Sequence, residues 1–433
     1  MNVTPEVARM ILKPLRESGI PPKFGLELFS SGFELILGSL EKAYLDDIIL
    51  NKGSSFKFIS ASFGGGKTHF TYQFREKAWE KNYATCHVPL DYKNTQFHKL
   101  LTVFQAIVLN VQRPLDDDEK ILIYGETKKD EELGLPNLIK HWFHTKQKEF
   151  QELDGDNWSD NLERYSDNIG RDFDSIHFAR VVRHLFKSLH KNELDDFEDL
   201  SLWFEGEISG GIDKKFGIKK PAEAETFRMI KSLAKLLTDY MDLSGLVIFF
   251  DEGERQALRS KDKDIQVANL RQVIDQCGDQ SMPSILFIYT VPDENEFLQS
   301  KGHAYDAIKQ RLQKHFSREH PLFPNISLER LLGDDDNEVI NNLTEIGIKL
   351  SDLYKSAYDA EFPTSLNSSI QNIAESARKQ KYGEVSFRRL FIQSVCEGLD
   401  LLKDGTESKI SQDMAESLIR NEEKQISESE NCE

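Results

Sequence analysis

The residues with the clearest chemical potential are a lysine and a threonine that directly follow three glycines, in the run FKFISASFGGGKTHF at residues 56–70. Successive glycines let the backbone curl so that several N–H groups point at one anion. The ammonium of Lys67 can reach the terminal phosphates of a nucleotide, and the hydroxyl of Thr68 is a suitable ligand for Mg²⁺. These residue types at this spacing predict a phosphate-binding loop, and the alternative is a glycine-rich turn without a ligand.

The elements that must position these residues are predicted on either side of the loop. Residues 56–59 have the length and β-forming side chains of a buried strand, and residues 70–80 are amphipathic, as in a helix. A strand, a glycine-rich turn and a helix N-terminus with partial positive charge form the setting that phosphate binding requires. The usual pattern begins with a glycine where this chain has Ala61. The residues expected to bind the nucleotide are Phe63, Gly64, Gly65, Gly66, Lys67, Thr68 and His69.

A second chemical group follows the apolar segment GLVIFFDEGE at residues 245–254. Its continuous apolar run is typical of a strand in a parallel sheet that is covered on both faces. In phosphate-loop ATPases the first acid after such a strand, here Asp251, helps to hold Mg²⁺, and the next, here Glu252, orients the attacking water. The alternative is a buried strand that ends in solvent-facing acids. The sequence does not settle how many strands separate this strand from the loop strand.

Composition narrows the class of protein. The chain has 433 residues, of which 39% are hydrophobic, as in an ordinary globular protein, and it lacks an apolar run long enough to span a membrane. Its N-terminus does not have a signal-peptide pattern, so we expect a cytoplasmic protein. Its four cysteines are scattered without a C-x-x-C pair, which disfavours a zinc site. The net charge of −18 opposes non-specific binding of nucleic acid.

The chain is predicted to contain an α/β core and a helical C-terminal region. Residues 1–326 are assigned to the core, and the charged, strand-poor stretch at about 114–220 is read as a helical insertion into it. Residues 327–421 return to helical periodicity and are read as a lid. The polar residues 422–433 are expected to be disordered.

Two features leave alternatives open. Residues 21–24, just before the first strand, could form a surface on which a purine stacks, or a loop that packs against the core. A basic stripe on one helix of the insertion is by default a solvated face, with contact to DNA or to an acidic partner as the alternative. The stripe consists of Arg180, Arg183, Lys187 and Lys191.

Taken together, the chain resembles AAA+ ATPases of the origin-recognition kind and, more narrowly, the ATP-binding proteins of bacterial BREX phage-defence islands, of the BrxD type. The residues that carry the resemblance are GSSFKFISASFGGGKTHF at 53–70, FGIKKPAEAETFRMIKSLAKLL at 216–237, GLVIFFDEGE at 245–254 and IKQRL at 308–312. The resemblance implies a P-loop NTPase of the AAA+ (ASCE) class. Its fold would be a parallel α/β sheet with helices on both faces, a helical insertion and a C-terminal helical lid. Too few residues follow about Lys403 for the winged-helix DNA-binding domain that origin-recognition relatives often carry.

The resemblance also implies roles for polar residues outside the two motifs. Thr290, in preference to Tyr289, would sense the γ-phosphate or the attacking water from the end of the strand at 284–290. Arg311, or Arg318 in its place, would reach the nucleotide of a neighbouring subunit. Arg388, in preference to Arg389, would close onto the phosphates from the lid.

The function hypothesis is an AAA+ ATPase that acts as a nucleotide-driven switch or motor in anti-phage defence, with ATP and Mg²⁺ as its ligands. It would self-associate or act on a protein partner such as a helicase. One alternative is a DNA-loading ATPase that uses the basic stripe or the lysines at 214–220. The other is a scaffold that holds a nucleotide without hydrolysing it.

Overall fold

The structure is a computed structural model that describes residues 3–62, 64–91, 94–125, 133–208, 211–251, 260–292, 303–317, 319–331, 335–380 and 385–430. Its strands and helices form a mixed α/β fold. The described strands are β1 (Ser54–Ser60), β2 (Ala84–Pro89), β3 (Val111–Gln112), β4 (Leu246–Asp251), β5 (Ile285–Val291) and β6 (Asn325–Ser327). They form one sheet, as the apolar strand patterns predict.

The described sheet has the strand order β3-β2-β4-β5-β1-β6. Every adjacent pair is parallel except β2 and β3, which are antiparallel. One strand, β5, therefore lies between the loop strand β1 and the acid strand β4, which settles the order that the sequence leaves open. Because the strands are parallel, their C-terminal ends meet at one edge of the sheet. That edge carries both the glycine-rich loop and Asp251.

Helices cover both faces of the sheet and form most of the rest of the described chain. In chain order they are α1 (Pro5–Ser18), α2 (Glu34–Leu40), α3 (Lys67–Glu80), α4 (Leu100–Asn110), α5 (Asp117–Tyr124), α6 (Leu135–Asp154), α7 (Trp158–Asn168), α8 (Ile176–Lys191), α9 (Leu194–Ser201), α10 (Ile212–Phe216), α11 (Thr226–Lys235), α12 (Ser260–Gly278), α13 (His303–Leu312), α14 (Leu328–Leu331), α15 (Asp336–Tyr358), α16 (Leu366–Lys379), α17 (Phe387–Lys403) and α18 (Gln412–Glu430). Helices α2 and α11 continue as the π-helical segments Glu41–Ile48 and Leu236–Tyr240.

The two faces of the sheet have different coverings because successive side chains of a strand point to opposite sides. On the first, which we call the loop-helix face, Phe70 and Phe74 of α3 pack with Val247 and Phe249 of β4. On the second, which we call the insertion face, the other side chains of β4 pack with helices of the insertion. That cluster includes Leu246, Ile248, Phe250, Tyr289, Trp142, Phe178, Val182, Trp203 and Phe204. The insertion helices therefore share one core with the sheet.

The C-terminal helices form a bundle with a core of its own. Val339, Leu350, Ile373, Leu390 and Leu399 are among its buried residues. The N-terminal helix α1 packs into the same bundle through its apolar stripe, which consists of Val7, Ile11, Leu12 and Leu15. The sequence predicts this helix in the core domain, whereas it packs with the bundle.

Helix α18 also differs from the sequence analysis, which expects disorder from residue 422. The helix continues to Glu430, and it keeps Ile419 and Ile426 buried against the bundle. These two residues lie seven positions apart, two helical turns, so they share one face of the helix. A mostly polar segment is thus ordered by a narrow apolar stripe.

Candidate nucleotide-binding site

The glycine-rich loop follows β1 and leads directly into α3. Gly64 and Gly66 have φ angles of 69° and 97°, a region that side chains disfavour. Gly65 needs a hydrogen for another reason, because a Cβ there would lie 2.9 Å from the Ser62 carbonyl oxygen and 3.0 Å from the Ala61 methyl group. The same contact shows how Ala61 is accommodated in place of the usual glycine. The loop is therefore a tight backbone cradle of the kind that fits a phosphate.

Lys67 begins α3, and its side chain folds back across the loop. Its Nζ donates to the carbonyl oxygens of Ala61 at 2.7 Å and Ser62 at 3.3 Å. The ammonium is thereby held over the backbone cradle and over the positive end of the helix dipole. An ammonium in this position can bridge the loop and a bound phosphate.

Asp251 and Thr290 end neighbouring parallel strands and contact each other. The Thr290 hydroxyl donates to an Asp251 carboxylate oxygen at 2.6 Å. Thr290 lies on the loop-helix face with Leu286 and Ile288, by the alternation of β5. Tyr289 points to the insertion face, where its hydroxyl accepts a 3.2 Å hydrogen bond from the Gln266 amide. Of the two sequence alternatives, Thr290 is thus the one that lies beside Asp251.

The acid strand and the loop helix approach each other. Tyr72 lies one turn after Thr68 on α3. Burial raises the Tyr72 pKa; the positive charge of Arg75 opposes this shift, and the negative charge of Asp251 adds to it. Helix α3 packs on β4 through Phe74 and Phe249, whose ring centroids lie 6.4 Å apart. The two residues predicted to hold Mg²⁺ come from these adjacent elements.

The two oxygen donors predicted to hold Mg²⁺ are the Thr68 hydroxyl and the Asp251 carboxylate. Within the described residues, no three His, Cys, Asp or Glu side chains form a group that could hold a metal by themselves. Mg²⁺ commonly takes only one or two protein oxygens and completes its shell with water and substrate phosphates. The Thr68 hydroxyl and the Asp251 carboxylate fit that requirement.

A family model for the BREX system ATP-binding protein BrxC/D matches residues 3–418. This chain belongs to the BrxC/D family. The match extends over nearly the whole chain and includes the loop, the acid strand and most of the C-terminal bundle. It confirms the resemblance found in the sequence, and the family is an ATP-binding one of the BREX defence system. No curated protein and no solved structure matches the chain.

In this BrxC/D chain, the beginning of helix α17 rests on the glycine-rich loop. The Ser386 hydroxyl donates to the Gly64 carbonyl oxygen at 3.0 Å. A Cβ on Gly64 would lie only 2.6 Å from the Ser386 Cβ, so the loop and α17 are in close contact. Ser386 occupies the N-cap position of α17, but its hydroxyl bonds the loop and not the helix.

The two lid arginines follow Ser386 in the BrxC/D chain and have different neighbours. Burial lowers the pKa of Arg388 to about 10, and the nearby Glu329 carboxylate opposes this shift. Glu329 also accepts the Ser62 N–H of the loop at 3.0 Å. Arg389 donates its Nε hydrogen to the Ser18 carbonyl at 3.1 Å, at the end of α1. Of the two arginines, Arg388 is therefore the one that interacts electrostatically with Glu329, the acid that contacts the loop.

Two further residues of the predicted site, Arg311 and His69, contact other parts of the chain. Arg311 on α13 forms an ion pair with Asp275 of α12, with both Nε and Nη2 lying 2.6 Å from one carboxylate oxygen. His69 Nε2 lies 2.6 Å from the hydroxyl oxygen of Ser30 in the N-terminal segment. Phe63, Glu252 and Arg318 lie outside the described residues.

Two sequence alternatives can be weighed on this structure. Phe24 is buried among the bundle residues. The loop at 21–24 is therefore a packed loop, as in the second alternative, and its packing partner is the core of the bundle. The basic stripe of α8 is largely engaged within the chain, since Arg180 bonds the Gly217 carbonyl, Arg183 the Ile169 carbonyl and Lys187 the Asp167 carboxylate. These contacts favour a structural role for the stripe.

Ser386 and Glu329 are not among the residues predicted from the sequence, because nothing in their local sequence marks them. Both reach the loop from more than 250 residues away in the chain.

The described helices do not include one that combines the length and apolar character needed to cross a bilayer.

Proposed function

We propose that this chain is a Mg²⁺-dependent ATPase of the P-loop, AAA+ type, which works as a nucleotide-driven switch in the cytoplasm during anti-phage defence. The observation that carries the proposal is the arrangement at one edge of the sheet. There the Lys67 ammonium is folded across a glycine cradle, and the hydrogen-bonded pair of Asp251 and Thr290 ends the strands beside it.

Each residue has a stated task in this proposal. The backbone N–H groups at 64–68 and the Lys67 ammonium would bind the phosphates of ATP. The Thr68 hydroxyl and Asp251 would hold Mg²⁺, which neutralises charge on the phosphate oxygens when it is bound. Glu252, which follows Asp251 in the chain, would orient the attacking water and accept its proton. Thr290 would fix the orientation of the Asp251 carboxylate.

The contact of α17 with the loop supports a switch as the output. Ser386 bonds the Gly64 carbonyl, and Arg388 follows two residues later at the start of the same helix. A change in the loop conformation on phosphate binding or release would therefore displace the start of α17, and with it the helical lid. We propose that the lid passes this change to a protein partner such as a helicase, or to a second copy of the chain.

The test is ATP turnover by purified protein that carries Lys67→Ala. We expect phosphate release to fall to background, because the ammonium over the loop is lost. The matched control is Lys77→Ala on the same helix, where the lysine pairs with Glu80 at the surface. Turnover should be unchanged in the control. Unchanged turnover in the Lys67 variant would reject the assignment of the site.

A non-hydrolysing scaffold is distinguished from this proposal by Glu252→Gln. If the wild-type chain releases phosphate no faster than this variant while both bind ATP, the chain is a nucleotide-bound scaffold. The proposed ATPase predicts instead that the variant binds ATP with wild-type affinity and turns it over at least ten-fold more slowly.

A further inference from the structure

The N-terminal strap, residues 19–33, connects the two bodies that meet at the loop. It begins after α1, which packs in the C-terminal bundle, and it ends before α2, which packs on the loop-helix face of the sheet. Phe29 is buried in the bundle core, whereas Phe33 is buried with the residues of α3. The chain therefore passes from lid to core between these two residues.

Helix α3 holds the strap at two points. The Arg75 guanidinium donates to the Lys23 carbonyl. Six residues earlier on α3, the His69 Nε2 atom lies 2.6 Å from the Ser30 hydroxyl oxygen. His69 directly follows Lys67 and Thr68 in the first turn of the helix, so it is rigidly linked to both residues that would hold phosphate and Mg²⁺.

The hydrogen-bond pattern fixes the direction of the His69 contact. The Ser30 hydroxyl has one hydrogen, and it donates this hydrogen to the Leu26 carbonyl at 2.6 Å. The hydroxyl can therefore only accept from His69, which must carry its proton on Nε2. The imidazole is enclosed by the rings of Phe29 and Phe33, at centroid distances of 5.6 and 6.0 Å. The packing and the hydrogen bond together orient the imidazole, with Nε2–H as the donor to Ser30.

The lid also contacts Ser30, through the backbone carbonyl of that residue. Lys349 of α15 donates to the Ser30 carbonyl oxygen at 2.7 Å, and it pairs with Glu345 of the same helix, also at 2.7 Å. Glu345 accepts the hydroxyl hydrogen of Ser31 at 2.8 Å. Ser30 is thus bonded to the loop helix through its side chain and to the lid through its backbone.

We propose that His69 is a positioning residue that couples the nucleotide site to the lid through Ser30 and Lys349. The inference rests on the proposed function, because it gives the route by which an occupied loop would be sensed by the lid. His69 does not touch the nucleotide in this proposal. Its imidazole moves with the first turn of α3, and Ser30 transmits that displacement to α15.

The test is hydrogen–deuterium exchange of the whole chain with and without Mg²⁺ and a non-hydrolysable ATP analogue, combined with calorimetric measurement of analogue binding. In the wild type, the analogue should slow exchange both in the peptide at 61–72 and in α15. In His69→Phe, which keeps the aromatic packing but removes the donor, slowing should persist at 61–72 and be lost in α15. His69→Gln, whose amide can donate to Ser30, should restore the response in α15.

A second variant tests the lid side of the coupling without altering the loop helix. Lys349→Met should abolish the response of α15 as His69→Phe does, and the double variant should show no further loss. The matched control is Lys355→Met on the same helix, where the lysine pairs only locally with Asp352. This control should respond as the wild type does.

The outcomes separate the two proposals. A wild type that does not bind the analogue rejects the proposed function, and the coupling with it. A wild type that binds the analogue without slower exchange in α15 overturns the coupling alone. The coupling is also overturned if the wild type responds in α15 and both His69→Phe and Lys349→Met respond equally.

Discussion

The hydroxyl of Thr290 donates a 2.6 Å hydrogen bond to the carboxylate of Asp251, and this bond joins the C-terminal ends of β5 and β4. Thr290 is fully buried, so water does not compete for the contact. A carboxylate that holds a metal is oriented by the groups that bond its oxygens, and loss of such a group commonly reduces metal affinity or activity 10–100-fold. The bond therefore gives Thr290 a definite task at the proposed Mg²⁺ site.

Thr290→Val removes this hydroxyl while it keeps the shape of the side chain. We expect the Mg²⁺ concentration for half-maximal ATPase activity to rise about 10–100-fold, because the carboxylate loses its fixed orientation. Titration of activity with Mg²⁺ at saturating ATP measures the effect. Thr290→Ser keeps the hydroxyl and should remain within a few-fold of the wild type. Equal Mg²⁺ dependence in the valine and serine variants would show that the hydroxyl has no such task.

Gly64→Ala probes the contact between the loop and α17. The φ angle of 69° is unfavourable for alanine, and the added methyl would lie 2.6 Å from the Ser386 Cβ. We expect a loss of stability larger than the ~1–2 kcal/mol that a left-handed alanine costs by itself, together with weakened ATP binding. Urea unfolding and calorimetric titration with ATP would measure the two effects.

A matched control separates backbone strain from the clash with α17. Gly405 has nearly the same φ angle, 68°, and its added methyl would meet open space. Gly405→Ala should therefore show the strain alone, with ATP affinity unchanged. Ser386→Gly in the Gly64→Ala background should recover part of the lost affinity. If the two alanine variants lose equal stability and both retain ATP affinity, the close approach of α17 to the loop is not required for binding.

How far the sequence could predict this site depends on how local each feature is. The glycine cradle, Lys67 and the strands predicted at residues 56–59 and before Asp251 are encoded by residue types within about fifteen positions. The structure has these strands at Ser54–Ser60 and Leu246–Asp251. The preference for Thr290 over Tyr289 could be made only by resemblance. The alternation of β5 between the two faces gives the physical reason why Thr290 lies with Asp251.

The features that sequence could not supply are contacts between distant segments. Ser386 reaches Gly64, and Lys349 reaches Ser30, across more than 300 residues, and helical periodicity does not say which helix a stripe will meet. The stripe of α1 is equally compatible with the core and with the bundle. The order of α18 depends on burial of Ile426 against the bundle, which its polar composition does not reveal.

The desolvated imidazole of His69 gives the chain a pH-dependent stability. Burial lowers its folded-state pKa to about 4, compared with about 6.5 when unfolded. Between these values the unfolded chain binds a proton that the folded chain does not, so stability is full above pH 6.5 and falls towards pH 4. The slope from this residue is at most about 1.4 kcal/mol per pH unit.

His69→Phe should therefore flatten the dependence of unfolding free energy on pH between 6.5 and 4, measured by urea titration at several pH values. His69→Gln should flatten it equally, since glutamine does not titrate but can keep the bond to Ser30. The slope should stay above zero in both variants, because burial also lowers the pKa of His184 to about 4. A slope identical to that of the wild type in both variants would contradict burial of a neutral imidazole at position 69.

Arg311 allows a test of action between subunits. Its ion pair with Asp275 is about one-third exposed on each side, and such pairs contribute only about 0–1 kcal/mol to stability. The pair with Asp275 therefore does little to prevent the guanidinium from reaching a neighbour's phosphate. We expect Arg311→Met to lose ATPase activity while it keeps ATP affinity, and Asp275→Asn, which breaks the same pair but retains the arginine, to keep activity.

Mixing subunits decides whether the arginine acts within its own chain or across an interface. The Lys67→Ala subunit has a disabled loop but an intact Arg311, and the Arg311→Met subunit has the reverse. If Arg311 serves the site of its neighbour, an equimolar mixture regains turnover, because some intact loops then face an intact arginine. If turnover stays at background while Asp275→Asn is as inactive as Arg311→Met, the arginine acts only by fixing α13 to α12. A dilution series of the wild type into the range where the subunits separate completes the test, since action between subunits requires specific activity to fall as they separate.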